Sequence, residues 1–174
     1  MKLKSLIVVL LCIVVCSSCE QPPIEAYAVL PQPQEINYVQ GFVKLKDKPM
    51  VVYSNELSNE ALLLASYLKN DFAVEVTLEE GKDKGDVILL LDSTVLPDKK
   101  GGYVLEAAGS RITIKASTPE GVFNGVQTLR QIIKEREGRL TVQKALVTDY
   151  PAFSWRAFML DEGRYFKGKE VVLN

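Results

Sequence analysis

The 174-residue chain contains no histidine. That absence excludes Ser-His-Asp and Cys-His catalysis, histidine-based zinc sites and an imidazole general base. Cysteine is nearly as scarce. Cys12, Cys16 and Cys19 all lie at the extreme N-terminus. Nothing beyond Cys19 can close a disulfide or supply a thiolate nucleophile, so a structural disulfide framework is excluded. A basic excess is lacking too. The 21 Lys and Arg residues face 22 Asp and Glu residues, for a formal charge of −1. A mildly acidic chain without a basic stripe is a poor candidate for nucleic acid, and none is expected as a partner.

What is present begins with an export signal. Lys2 and Lys4 supply positive charge, and Leu6–Val15 is an unbroken apolar run. That run is too short for a transmembrane helix and suits the hydrophobic region of a signal peptide. The small residues Ser17 and Ser18 then precede Cys19. This order is the bacterial lipoprotein pattern, in which cleavage exposes a cysteine that receives lipid; ordinary secretion is the alternative. Cys16 is the poorer acceptor, because bulky Val15 would occupy the cleavage position. The expectation is a signal peptide over residues 1–18, lipidation at Cys19, a tether over 19–26, and a place in the bacterial cell envelope, on the periplasmic or outer-membrane face. Removing residues 1–18 takes away two lysines and no acid, leaving a formal charge of −3. Membrane attachment would then come from lipid rather than from net charge.

Four of the eight prolines fall between Gln21 and Gln34, and Pro22-Pro23 marks the tether. Short extended runs follow at Ile36–Val39, Phe42–Leu45 and Met50–Tyr53, with Gly41 as a hairpin corner. Ser58 fits a helix N-cap, and Leu57, Ala61, Leu64, Ala65, Leu68 and Phe72 recur at helical spacing. Val74–Leu78 alternates as a strand. Asp86–Leu91, apolar throughout after Asp86, predicts a central strand covered on both faces. Tyr103–Ala107 and Arg111–Lys115 flank Gly109-Ser110, a hairpin signal. Thr118 caps a second helix, with Pro119 at its first position and Val122, Val126, Leu129 and Ile133 as its apolar stripe. Gly121 and Gly125, one turn apart, permit close backbone contact. Gly138 fits that helix's C-cap, and Leu140–Val147 reads as a further strand. No internal repeat or low-complexity block appears. Hairpins mixed with β-α-β stretches predict an α+β domain over residues 27–148, a mixed sheet with two main helices.

Three segments carry a resemblance. Leu30-Pro-Gln-Pro-Gln-Glu35 looks like the opening of the N-terminal domain of family 20 glycoside hydrolases, the β-N-acetylhexosaminidases. Gly121-Val-Phe-Asn-Gly-Val-Gln-Thr-Leu-Arg-Gln131 resembles a helix near the end of that domain. Trp155-Arg-Ala-Phe-Met-Leu-Asp161, followed by Arg164-Tyr-Phe166, resembles the first strand and loop of the catalytic (β/α)8 barrel. The departures are Ala157, where the family usually has glycine, and Gly163-Arg164-Tyr165, where it usually has Ser-Arg-His. The resemblance implies that Arg156 holds hydroxyls of the terminal sugar; a fixed guanidinium fork can grip two neighbouring hydroxyls at once. It also implies residues 149–174 as an incomplete first barrel unit, since a closed barrel needs at least about 200 residues.

The resemblance implies an exported enzyme that removes terminal N-acetylhexosamine from glycans by substrate-assisted hydrolysis, with no cofactor and no metal. Its partners would be such a glycan and a membrane reached through the lipid. The family's catalytic Asp-Glu pair lies further along the barrel, and the pairs Glu79-Glu80 and Asp161-Glu162 are wrongly placed to replace it. The chain therefore reads as an N-terminal portion without catalytic residues of its own. Phe153, Trp155, Phe158 and Met159 read as core rather than as a sugar-stacking platform. Two other readings stand: a stand-alone lipoprotein interaction module, and the equivalent domain of a different glycosidase.

Overall fold

The computed structural model describes residues 24, 26–81, 83–153, 155, 157, 159 and 168–173. Its strands are β1 (Glu35–Lys44), β2 (Met50–Tyr53), β3 (Thr77–Glu80), β4 (Val87–Leu91), β5 (Tyr103–Ala108), β6 (Arg111–Ala116), β7 (Ile133–Arg136) and β8 (Arg139–Asp149). Its helices are α1 (Ser58–Phe72), α2 (Pro119–Ile132) and the short α3 (Lys169–Leu173), with a 3-10 turn at Asn55–Leu57 before α1. One sheet runs in the order β1-β8-β5-β6-β4-β2-β3, with β7 paired to the first part of β8. Strands β3, β2, β4 and β6 are parallel, and β6, β5, β8 and β1 are antiparallel. This is the expected mixed sheet with two main helices.

The parallel half follows from the connections. Parallel neighbours need a long crossover, and α1 supplies one between β2 and β3. β4 sits between β2 and β6, and its Val87, Ile88 and Leu89 are all buried, as an unbroken apolar run requires of a central strand. α2 lies across β5 and β6 and packs beside α1. The core between sheet and helices holds Leu64 and Leu68 of α1, Val122, Val126 and Leu129 of α2, and Leu89, Leu105, Ile112 and Ile114 of the sheet. α2 comes close to the sheet through Gly121 and Gly125, both buried. Thr118 caps α2 as expected, its hydroxyl accepting from the Gly121 N–H at 3.3 Å.

Four local expectations are corrected. Gly41, at φ +95°, is not a hairpin corner but part of a bulge inside one ten-residue strand, for both halves of β1 pair with β8. Gln143, fully buried on β8, donates its side-chain amide to the Val39 and Gly41 carbonyls and so fills the bulge. Ser58 is the first residue of α1 rather than its cap, because the 3-10 turn precedes it. The strand expected at Val74–Leu78 is β3, displaced to Thr77–Glu80. Gly138, at φ +72°, closes the β7–β8 hairpin instead of α2, since Ile133 already has an extended backbone and pairs with Val142.

Candidate functional site

Three elements meet at one end of the sheet. Tyr103 opens β5, Asp149 closes β8, and their register pairs them directly. Thr128 projects from the buried face of α2. The Tyr103 hydroxyl lies 2.5 Å from Thr128 Oγ1 and donates to Asp149 Oδ2 at 3.3 Å. With that proton committed to the carboxylate, the hydroxyl of Thr128 donates to the phenol oxygen, and every group is satisfied. Asp149 Oδ1 accepts the Gln34 N–H at 3.1 Å. Burial pushes the Tyr103 phenol far above its ordinary value, with the Asp149 charge acting the same way and the Thr128 hydrogen bond opposing both. Tyr103 therefore stays protonated at any physiological pH.

Around this cluster lies a cleft of about 450 Å³, lined also by Leu30, Asn124, Gln131, Tyr150 and Phe153. Two chain segments are fastened along it. Gln131 of α2 accepts the Leu30 N–H at 2.9 Å and donates to the Leu30 carbonyl at 3.0 Å. Asn124 donates to the Gly101 carbonyl at 2.9 Å. The segment that enters the domain at Leu30 and the loop before β5 at Gly101 are thus both fastened to α2.

The arrangement is unsuited to glycosidic cleavage. A hydrolase of this kind needs a carboxyl group free to protonate the leaving oxygen. Both oxygens of Asp149 are engaged, and Glu120 at the rim faces Lys100 at 3.7 Å. Among the described residues no group of three or more Asp, Glu, His or Cys could hold a metal ion. The cluster's chemistry is to fix the exit direction of β8.

Arg156, Cys19, Asp161 and Glu162 lie outside the described residues. Glu79 and Glu80 sit exposed on the edge strand β3, away from the cleft. Phe153, Trp155 and Met159, expected to be core, are 73%, 78% and 89% exposed, because no described element covers them. Sequence reasoning missed Tyr103, Thr128, Asp149 and Gln143. The available signal was weak: Thr128 lies between the apolar Val126 and Leu129, and Gln143 follows Val142 within a strand.

Residues 26–150 match the sequence model of Glycosyl hydrolase family 20, domain 2. The chain belongs to glycosyl hydrolase family 20. It is 31% identical over 153 residues to a β-hexosaminidase of Porphyromonas gingivalis, covering 83% of this chain and 20% of that protein. It is 27% identical over 166 residues to β-hexosaminidase subunit A2 of Dictyostelium discoideum, covering 91% of this chain and 30% of that one. The β-N-acetylhexosaminidase structure from Bacteroides fragilis superposes with a TM-score of 0.67 at 25% identity, over 83% of this chain and 29% of that chain. A Vibrio harveyi exo-β-N-acetylglucosaminidase in complex with N-acetylglucosamine shares the fold, with a TM-score of 0.69 at 22% identity over 88% and 24% of the two chains. The family resemblance and the mixed-sheet fold are borne out. The chain spans between about a fifth and a third of the curated relatives named here.

Proposed function

We propose that this chain is the N-terminal portion of an exported β-N-acetylhexosaminidase, and that its α+β domain carries and orients the barrel entrance without taking part in chemistry. The observation that supports this most is the family 20 domain 2 match over residues 26–150, followed directly by the Trp155-Arg156 motif. On this reading Arg156 binds the terminal N-acetylhexosamine of a glycan within a barrel. Residues 1–18 are a signal peptide, acylated Cys19 holds the protein to the cell envelope, and residues 19–26 form the tether. Among the described residues no helix is long and apolar enough to cross a membrane, consistent with attachment through lipid.

The test compares the 174-residue chain with a version extended through the following reading frame, on a chromogenic N-acetylglucosaminide. Activity confined to the extended version, and reduced by Arg156→Ala, supports the proposal. Turnover by the 174 residues alone refutes it. An inactive extended version favours the interaction-module reading, which draws on the self-contained core and on exposed Phe153 and Trp155. Mass spectrometry of the exported protein should show acyl chains on Cys19.

A further inference from the structure

The molecule has a basic face at the root of the tether. Lys44 pairs with Thr141, and Lys134 pairs with the same residue from the other side. Arg136 pairs with Arg139 in the next rows of the β7–β8 hairpin. Residues paired across strands point to the same side, so one side of the sheet collects Lys44, Lys134, Arg136 and Arg139. A cavity of about 500 Å³ there is lined by Phe42, Lys44, Arg136, Glu137, Arg139 and Thr141. Glu137 is the one acid in that lining. Glu135, paired with Leu140, belongs to the opposite side with the core. The guanidinium of Arg136 stacks 4.7 Å above the Phe42 ring, while Lys44, Lys134 and Arg139 are exposed.

The tether meets the domain at this face. Tyr27, the first residue after the tether, accepts a hydrogen bond from Arg136 Nη2 at 2.9 Å, and Lys134 Nζ lies 5.6 Å from its ring centroid. Seven residues lie between Cys19 and Tyr27, so eight Cα–Cα steps join them. Fully extended they span at most about 29 Å, less than the roughly 35 Å width of a domain this size. An acyl group on Cys19 therefore holds the Tyr27 side of the domain nearer the bilayer than the far side.

We propose that this face rests on the anionic headgroups of the membrane to which Cys19 is anchored, with Lys44, Lys134, Arg136 and Arg139 supplying the charge. The proposal rests on the lipid-anchor reading above. Anionic lipid attracts basic residues close to a bilayer surface, and the attraction fades within a Debye length of about 8–10 Å. Lipid thus supplies attachment, and the basic face supplies orientation. The cleft at Tyr103 and Asp149, where the chain leaves β8, is held in a fixed relation to the membrane.

The test uses the full chain produced in an acylating bacterial host, reconstituted into phosphatidylcholine vesicles with or without phosphatidylglycerol. A water-soluble amine reagent labels the lysines, and mass spectrometry reads each peptide. Lys44 and Lys134 should be labelled several-fold more slowly on the anionic vesicles at low salt. High salt should erase the difference, and Lys100, exposed beside the cleft, should not change. Lys44→Glu/Arg139→Glu should remove the protection of Lys134 with the thermal midpoint retained; if that variant unfolds, the salt series on the unmodified chain decides. Equal labelling on both vesicles, or equal protection of Lys100, overturns the proposal. If acylated Cys19 is found but protection is not, the orientation fails alone. If Cys19 carries no acyl chain, the anchor reading fails and this proposal with it.

Discussion

Replacing Gly125 with alanine should destabilise the domain, although alanine is the better helix former. In an exposed helix interior the change from glycine gains about 1 kcal/mol. Here the added β-carbon would lie 2.5 Å from Ile114 Cγ2 and 3.1 Å from the Tyr103 ring. Ile114 and Tyr103 are buried core residues, so α2 must lift or the two side chains must shift. Overpacking of this kind costs about 1–3 kcal/mol, occasionally more. Gly121→Ala is the more severe case, since its β-carbon would meet the Gly102 carbonyl oxygen at 2.3 Å and Ala116 Cβ at 2.7 Å. Backbone cannot rotate away as a side chain can. The net expectation is a loss of up to about 2 kcal/mol for Gly125→Ala and a larger one for Gly121→Ala. Urea unfolding followed by circular dichroism measures both. Ser66→Ala on the exposed face of α1 is the control and should gain a few tenths of a kcal/mol. A stabilised Gly125→Ala would show that α2 does not sit on the sheet as described.

Tyr103→Phe should cost about 1–3 kcal/mol, since it removes the hydroxyl that bridges Thr128 and Asp149. The pH dependence gives a second signature. Burial raises the phenol above 10.0 in the folded state, so its contribution is whole below pH 10. Above that pH the unfolded chain ionises first and stability falls, a slope that Tyr103→Phe should flatten in alkaline melts. Gln143→Leu should lose about 2–3 kcal/mol in urea unfolding, because the Val39 and Gly41 carbonyls lose a buried donor. Ala73→Gly should stabilise by about 0.5 kcal/mol in the same assay, because Ala73 ends α1 in the left-handed region, at φ +56°.

The sequence was most legible where structure is decided locally. Thr118-Pro119 fixes the start of α2 through one hydroxyl and one ring. Gly109-Ser110 closes β5 onto β6 within a few residues. The run Val87–Leu91 requires a central strand whatever surrounds it. The failures share a different cause. Gly41 looks like a corner because a glycine between two extended runs often is one. It is a bulge because Gln143, more than a hundred residues later, satisfies the carbonyls that the extra residues expose. Gly138 looks like a helix cap because the basic residues Lys134 and Arg136 precede it, as they would in a helix's last turn. It is a hairpin turn because Ile133 gains a partner in Val142, which is downstream. The Tyr103-Thr128-Asp149 cluster was invisible for the same reason: each member is unremarkable alone, and the chemistry exists only once β5, α2 and β8 converge.

That convergence explains why the end of β8 borders a defined cleft. The exit from β8 is fixed from three directions. Asp149 is bonded to the phenol of β5 and to the backbone of the incoming segment at Gln34. Lys99 lies 4.5 Å from the centre of the Tyr150 ring. Pro151, immediately after, restricts the backbone further. A segment fixed in this way leaves the sheet in one direction rather than many. Phe153 and Trp155 then lie just beyond the anchorage with their side chains exposed. Large exposed apolar groups suit a surface awaiting a neighbour, and on the proposed reading that neighbour is the barrel. Both oxygens of Asp149 are engaged in hydrogen bonds within the fold, where they tie strand and segment together. On the two proposals together, the entry at Tyr27 sets the relation to the membrane and the exit at Asp149 sets the relation to the barrel. Weakening the Tyr103–Asp149 bond should therefore impair an extended enzyme through stability and orientation while leaving its catalytic pH profile near neutrality unchanged.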